Sequence, residues 1–302
     1  MTDEMFSRRR VLVIVNPAAG GGRGLRRFAS RRHEIESWPV DLQIKTTAAP
    51  GDAEALATAA TNVDLVVAVG GDGTVHEVVN GLLSSSAPPP PLAILPVGTA
   101  CDFARNLGSS AVRAGRMPSQ RIAVDVGRAS VTLGPAQVER FFVNAANMGA
   151  STAASRRVND SVVLRRVGAA AYVLAGLPEI LSRPAADYAW LNDGRERRTE
   201  RLLNLSVCNG ARFGGGLGLA PAATLTDHLL HVARIATRSH LGLLRTLAAG
   251  YADRAAPPPG VRVNSTRTIT IEGDGPVELD GELLGTLPAT FSIVPGGLDL
   301  LV

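Results

Sequence analysis

Three short segments of the chain concentrate glycine and hydroxyl residues: Asn16-Pro17-Ala18-Ala19-Gly20-Gly21-Gly22, Gly70-Gly71-Asp72-Gly73-Thr74 and Gly98-Thr99. Glycine lets backbone N–H groups approach a phosphate closely, and a helix starting after such a turn adds its positive end. Glycine also marks ordinary strand-to-helix turns, so one segment alone carries little; three at successive strand ends favour a phosphate site. Asp72 lies inside the second segment, where its charge repels a bare phosphate. It makes sense if Mg2+ bridges it to a nucleotide. Helix N-capping is the competing role, for Asp72 and for Asp102 after the third segment. No G-x-x-x-x-G-K-[ST] pattern is present, and Lys45, the only lysine, follows no glycine segment. The enzymes that place a lysine on the phosphates in a P-loop or a protein-kinase fold are thereby excluded. A nucleotide must be held by backbone N–H groups, hydroxyls, arginine and metal.

The elements that position these segments follow from the apolar runs. Val11 to Val15, Asp64 to Val69 and Leu92 to Leu95 are β-rich runs that read as buried strands, and Asp41 to Lys45 alternates as a further strand. Helical segments are expected over Arg23 to His33, Gly51 to Ala60, Val75 to Leu83 and from Thr99 through Leu107. The order βαβαβαβα implies an α/β domain with a parallel three-layer sheet, residues 1–127, whose ligands bind at the carboxyl ends of the strands. Beyond Gly127 short alternating strands dominate: Phe141 to Asn147, Tyr188 to Leu191, Leu202 to Cys208, Val232 to Ala236, Thr268 to Ile271 and Val277 to Leu279. Asn192-Asp193-Gly194 is a hairpin signal. A long helix is expected over about Asp160 to Leu181 and a shorter one over Leu241 to Tyr251. Residues 128–302 therefore read as a mainly antiparallel, β-rich second domain.

Composition narrows the partners. With 4% aromatics the chain has few stacking groups for single-stranded nucleic acid, and no nucleic-acid partner is expected. Arg8 to Arg10 and Arg23, Arg26, Arg27, Arg31 and Arg32 cluster, through either compositional bias or attraction to anionic headgroups. Cys101 and Cys208 allow at most one bridge, which fits a reducing cytoplasm. The N-terminus lacks the apolar stretch and cleavage site of a signal peptide. Val167 to Pro178 is too short to span a bilayer. Membrane contact is therefore expected to be peripheral, at the inner face.

Together these segments resemble the diacylglycerol kinase catalytic-domain family, which includes sphingosine kinases and bacterial lipid kinases. The resemblance runs over nearly the whole chain: Asn16 to Gly20, Thr46-Thr47 before Gly51-Asp52-Ala53, Gly70 to Thr74 with Glu77 to Leu82, and Leu95 to Thr99 with Asp102 to Arg105. It continues in Asp125-Val126-Gly127, Asn209-Gly210 with Gly214 to Gly216, and Asp280-Gly281-Glu282. It implies an NAD kinase-like α/β fold and an ATP site between two domains, with nucleotide contacts on the Asn16 loop, Thr47, Gly70 to Thr74, Gly98 and Thr99. It implies Mg2+ near Asp72, with Asp102 and Asp125 in a supporting acidic network, and a structural Mg2+ at Asp227. It implies a catalytic pair at Asp280 and Glu282, transfer of the γ-phosphate to a lipid or amphiphilic alcohol, and a place in phospholipid metabolism. A homodimer is left open.

The acidic pair has its own physics. If Val277 to Leu284 is extended, the two carboxylates share a face, and Gly281 lets substrate approach. One could take the hydroxyl proton while the other orients it or raises its pKa. The competing reading is a hairpin turn at Asp280-Gly281. The apolar stretch Val167 to Pro178, flanked by Arg156, Arg157, Arg165, Arg166 and Arg183, reads as a lipid-chain groove, a membrane-resting helix or a core helix. His76 and Cys101 stand where the family usually has asparagine. Two other activities fit the segments: a kinase of a soluble substrate such as NAD, and a nucleotide- or lipid-binding regulator without turnover. His228 and His231 have ligand-like spacing but lack a nearby third ligand for zinc.

Overall fold

A computed structural model describes residues 9–85, 87–108, 117–160, 177–178, 180–195, 197–236, 239–252 and 254–302. They form two compact units. The first holds the described chain up to Gly98, residues 117–122 and Leu298–Val302; the second holds Thr99–Gly108 and Ala123–Gly297.

In the first unit β1 (Arg10–Val15), β2 (Asp41–Thr46), β3 (Leu65–Gly70) and β4 (Leu92–Pro96) form a parallel sheet in the order β2-β1-β3-β4. Leu300 continues it beside Leu92, also parallel. β3 is buried along its whole length, as expected for a β-branched run in a sheet covered on both faces. After β1 comes a single turn, α1 (Ala19–Gly22), then α2 (Gly24–Glu36), α3 (Asp52–Thr58) and α4 (Asp72–Ser84). Phe28 and Ile35 of α2 pack with Val11, Val13, Val15, Leu65, Val67 and Val69 in one cluster. α3 and α4 touch through Gly81: a Cβ there would lie 2.3 Å from the Glu54 carbonyl oxygen, so any side chain would force the helices apart. The α/β expectation holds, with helix boundaries within a few residues of the sequence reading.

The second unit is antiparallel. Its strands are β5 (Arg121–Leu133), β6 (Ala136–Phe142), β7 (Ala145–Gly149), β8 (Ala186–Asn192), β9 (Arg198–Leu202), β10 (Asn204–Cys208) and β11 (Leu230–Ile235), then β12 (Val261–Thr266), β13 (Thr268–Glu272), β14 (Pro276–Leu279) and β15 (Glu282–Leu301). One sheet runs β12-β11-β10-β7-β14-β15; β13 pairs with β15 and leads to β8 and β9, and β5 pairs with β6 and β15. Phe142, Met148, Tyr188, Trp190, Leu205, Ile269 and Phe291 belong to one buried cluster. Within it Phe142 meets Phe291 edge-to-face at 6.3 Å. Helices among the described residues of this unit include α5 (Asp102–Asn106), α6 (Ala150–Asp160) and α7 (His240–Gly250). A second cluster joins Ala150, Leu203, Leu219, Ile235 and Leu243.

Several expectations change in detail. Phe141 to Asn147, read as one strand, is the end of β6 and the start of β7, with a break at Val143-Asn144. Leu202 to Cys208 is likewise divided between β9 and β10. α6 (Ala150–Asp160) ends at the residue where the helix expected over Asp160 to Leu181 was to start, and most of that expected stretch lies outside the described residues. Most of the Val167 to Pro178 stretch, with Arg165 and Arg166, lies outside the described residues, as does Arg8. Asn192-Asp193-Gly194 makes its turn, with φ of 48° at Asp193 and 69° at Gly194. No helix among the described residues is long and apolar enough to cross a membrane.

Candidate active site

The first unit gathers its glycine loops at the carboxyl ends of β1, β3 and β4. Asn16 organises the first. Its Nδ2 donates to Thr74 Oγ1 at 2.9 Å, and its Oδ1 accepts from Ala18 N at 2.9 Å. Ala19 N donates to the Asn16 carbonyl. Gly20 and Gly21 hold φ of 61° and 70°, a left-handed run that bends the chain after Pro17. Arg27 of α2 donates to the carbonyls of Val97 and Gly98 at 2.9 and 3.1 Å. The Gly70 carbonyl accepts from Val97 N and Gly98 N at 3.0 and 3.1 Å. At Gly70 a Cβ would collide with Thr74 at 2.3 Å. Thr47, at the end of β2, donates from its backbone to Val15 O at 2.9 Å. Asn16 to Gly20, Thr47, Gly70 to Thr74 and Gly98 are thus tied into one rim. α4 starts from it, with Asp72 in its first turn and partly exposed. The unpaired N–H groups of a helix start and its dipole favour an anion there. Thr99 belongs to the second unit.

His76 is buried on α4, with its Nε2 3.4 Å from Asn80 Nδ2. Cys101 caps α5 at φ 52°. Asparagine tolerates this left-handed conformation far better than cysteine, which gives a backbone reason for the asparagine usual in the family. Cys101→Asn is expected to raise unfolding free energy by about 0.5–1 kcal/mol, measured by urea denaturation.

In the second unit the extended arrangement expected over Val277 to Leu284 is not found. Asp280 and Gly281 have φ of 49° and 97° and form the two-residue turn between β14 and β15, so the common-face argument for Asp280 and Glu282 fails. The turn has another purpose. Asp280 Oδ2 accepts from Val143 N at 2.8 Å, and Oδ1 from Asn144 N at 2.8 Å and Ala145 N at 3.0 Å. The carboxylate thus satisfies three amides at the break between β6 and β7. Glu282, past the turn, is exposed. Asp280→Ala is expected to lower unfolding free energy by about 2 kcal/mol, since three amides lose their acceptor and water replaces part of it. Chemical denaturation with an unchanged midpoint would contradict this.

The other aspartates are also engaged. Asp102 accepts from Gly215 N at 2.6 Å and pairs with Arg105 at 3.2 Å, which fixes the Gly214 to Gly216 loop. Asp125 Oδ1 accepts from Gly296 N and contacts His228 Nδ1, both at 2.8 Å, while Oδ2 accepts from His228 N at 2.7 Å. Asp227 accepts from Thr224 N and Leu229 N at 3.0 Å and contacts His231 Nε2 at 2.9 Å. A cation at Asp125 or Asp227 would share the carboxylate with these donors. Among the described residues no group of three or more His, Cys, Asp or Glu side chains is arranged to hold a metal.

Sequence reasoning missed Glu278. It is 3% exposed and faces Asn147 across the β14–β7 pair. Asn147 Nδ2 donates to Glu278 Oε1 at 3.2 Å, and Ser155 of α6 donates to Oε2. Behind Asn147, Ser206 donates to its Oδ1 at 2.7 Å, and Asn204 donates to Ser206 Oγ at 3.0 Å. Burial pushes the Glu278 carboxyl up to about 7, with a smaller push from Asp280; Ser155 and Asn147 oppose it. Asn147, Ser151, Asn204 and Glu278 line a cavity whose other walls include Leu203, Leu217, Leu243 and Leu247. A charged residue between Val277 and Leu279 on a buried strand was the available signal.

One unit carries glycine loops at parallel strand ends without a loop lysine, and the other, antiparallel, carries an apolar cavity; P-loop and protein kinases instead place a lysine on the phosphates. Residues 10–129 match the diacylglycerol kinase catalytic domain, and residues 144–302 match the YegS C-terminal NAD kinase beta sandwich-like domain. A "probable lipid kinase YegS-like" protein of Pseudomonas fluorescens is 32% identical over 303 residues, covering 97% of this chain and 95% of that protein. A diacylglycerol kinase of Staphylococcus aureus is 30% identical over 300 residues, covering 97% of this chain and 92% of that one. A crystal structure of a diacylglycerol kinase from Bacillus anthracis shares the fold, with a TM-score of 0.70 at 22% identity over 100% of this chain and 98% of that one. The chain belongs to the diacylglycerol kinase-like lipid kinase family.

Proposed function

We propose that this kinase transfers the γ-phosphate of ATP to a hydroxyl of a lipid or amphiphilic alcohol. The observation that carries the acceptor class is the apolar cavity of the second unit, with its polar end at Asn147, Ser151, Asn204 and Glu278. A sugar or a dinucleotide has no apolar chain to fill such walls, whereas an amphiphile has one chain and one polar end. As it stands the cavity measures about 70 Å3, which suits the end of a chain.

ATP is assigned to the rim of Asn16 to Gly20, Thr47, Gly70 to Thr74 and Gly98, where backbone amides and the start of α4 supply the positive potential. Mg2+ is assigned to Asp72. Its carboxylate sits in the first turn of a helix that begins from the glycine loop, and hard oxygen donors suit this ion. When bound, Mg2+ would neutralise charge on the transferring phosphate. Asp280 and Glu282 are assigned the acidic work on the acceptor, with general-base help of about 10²–10⁴-fold. The three amides on Asp280 hold the turn that carries both.

Radiolabelled γ-phosphate supplied as ATP, with a total lipid extract, NAD and hexoses offered in parallel, tests the reading. Label in the organic phase supports it. Label confined to a soluble acceptor overturns the lipid claim, and ATP binding without any transfer overturns the enzyme claim.

A further inference from the structure

We propose that Glu278 receives an O–H group of the acceptor at the polar end of the cavity, separate from the hydroxyl served by Asp280 and Glu282, so that the enzyme selects amphiphiles carrying an O–H donor there. This rests on the lipid-kinase reading above and deepens it.

Four features of the cavity carry the proposal. First, Glu278 is the carboxyl group among the described residues that line it. Second, its surrounding hydrogen bonds run towards it. Asn204 donates to Ser206, Ser206 to Asn147 and Asn147 to Glu278, while Ser155 donates to the other oxygen. A carboxylate met by donors on both oxygens is held as an acceptor in a fixed orientation, the condition for recognising an O–H group. Third, Ser151 Oγ lies buried on the same cavity wall and has no hydrogen-bond partner among the described residues. A buried hydroxyl left so is costly, and a ligand oxygen would satisfy it. A hydroxyl can donate to Glu278 and accept from Ser151; an ether or ester oxygen can only accept. Fourth, β14 carries Glu278 and runs directly into the Asp280 turn, which is pinned to the start of β7, the strand that also bears Asn147.

The charged neighbour acting on Glu278 is Asp280. Tyr251 of the same cavity lining donates to the Gly214 carbonyl, and burial with Asp102 nearby pushes its phenol up to about 12, so it stays neutral. β7, β10 and α6 face Glu278 with the neutral Asn147, Ser206 and Ser155. The Glu278 carboxylate, the form that accepts, therefore grows in as pH rises through about 7.

The test uses the full-length enzyme with dodecanol and dodecyl methyl ether as competitors of the lipid acceptor. Wild type is expected to bind the alcohol at least about tenfold more tightly than the ether, as suits a hydrogen bond to a charged group. This preference should strengthen between pH 6 and pH 8. In Glu278→Gln the preference should shrink severalfold and lose its pH dependence, and Glu278→Leu should abolish it, with binding of an ATP analogue unchanged in both. Equal preference for alcohol over ether in wild type and both variants overturns the proposal. If a variant does not fold, Ser151→Ala is expected to weaken alcohol and ether alike, since both accept from its hydroxyl, while the preference for the alcohol stays; unchanged binding of both would count against the site. Failure of the lipid-kinase reading itself would show separately, as wild type transferring no phosphate to lipid.

Discussion

Replacing Asp72 with alanine is expected to lower kcat at least about 100-fold while leaving the fold intact. The carboxylate stands in the first turn of α4, where a negative charge adds only about 0.3–1 kcal/mol to helix stability. The loss should therefore appear in turnover, through weaker Mg2+ binding at the phosphates. Asp72→Asn keeps the side chain's size but not its charge, and raised Mg2+ should recover part of its activity. The measurement is steady-state kcat across a Mg2+ series, with thermal unfolding as the control for structure. Near-normal turnover in the alanine variant would remove Asp72 from the mechanism.

The second large effect concerns stability and pH. Burial moves the Glu278 carboxyl from its ordinary 4.5 to about 7 in the folded protein. Between these values the folded state keeps a proton that the unfolded state releases, so stability falls as pH rises through this window. The contribution is fully present below about 4.5 and is lost above about 7. Two to three pH units at 1.36 kcal/mol each amount to about 3 kcal/mol. Glu278→Gln removes the titration. The difference in unfolding free energy between variant and wild type should thus shift by about 3 kcal/mol in the variant's favour from pH 4 to pH 8. Denaturation at a series of pH values gives the curve, and a constant difference would show that Glu278 does not titrate in this range.

The parts of the fold that were legible in the sequence were those set by local pattern. Val11 to Val15 and Leu65 to Val69 are continuous apolar runs rich in valine, so their strands and the loops at their ends could be read directly. The loops' mutual bonding could not. Asn16 to Thr74 and Arg27 to Gly98 are contacts between residues 58 and 71 positions apart. β15 carries no simple alternation: Gly285, Pro288, Gly296 and Gly297 lie within it, residue types that weaken a strand pattern, and it changes partners from β14 to β13 and then, at Leu300, to β4. The common-face argument for Asp280 and Glu282 failed because both turn residues take positive φ, which alternation alone cannot reveal. Glu278 was overlooked because its meaning depends on Asn147 and Ser155, more than a hundred residues away in sequence. His76 follows the glycine loop where the family usually has asparagine, and its ring is buried against Asn80 of the same helix.

The central claim is tested most directly by product stoichiometry. The enzyme is incubated with Mg2+, ATP and an emulsified lipid alcohol, and ADP and phosphorylated lipid are counted by mass spectrometry from the same samples. The account predicts one phosphorylated lipid per ADP, with both absent when the lipid hydroxyl is replaced by a methyl ether. ADP formed without phosphorylated lipid, or at the same rate with the ether, would contradict it.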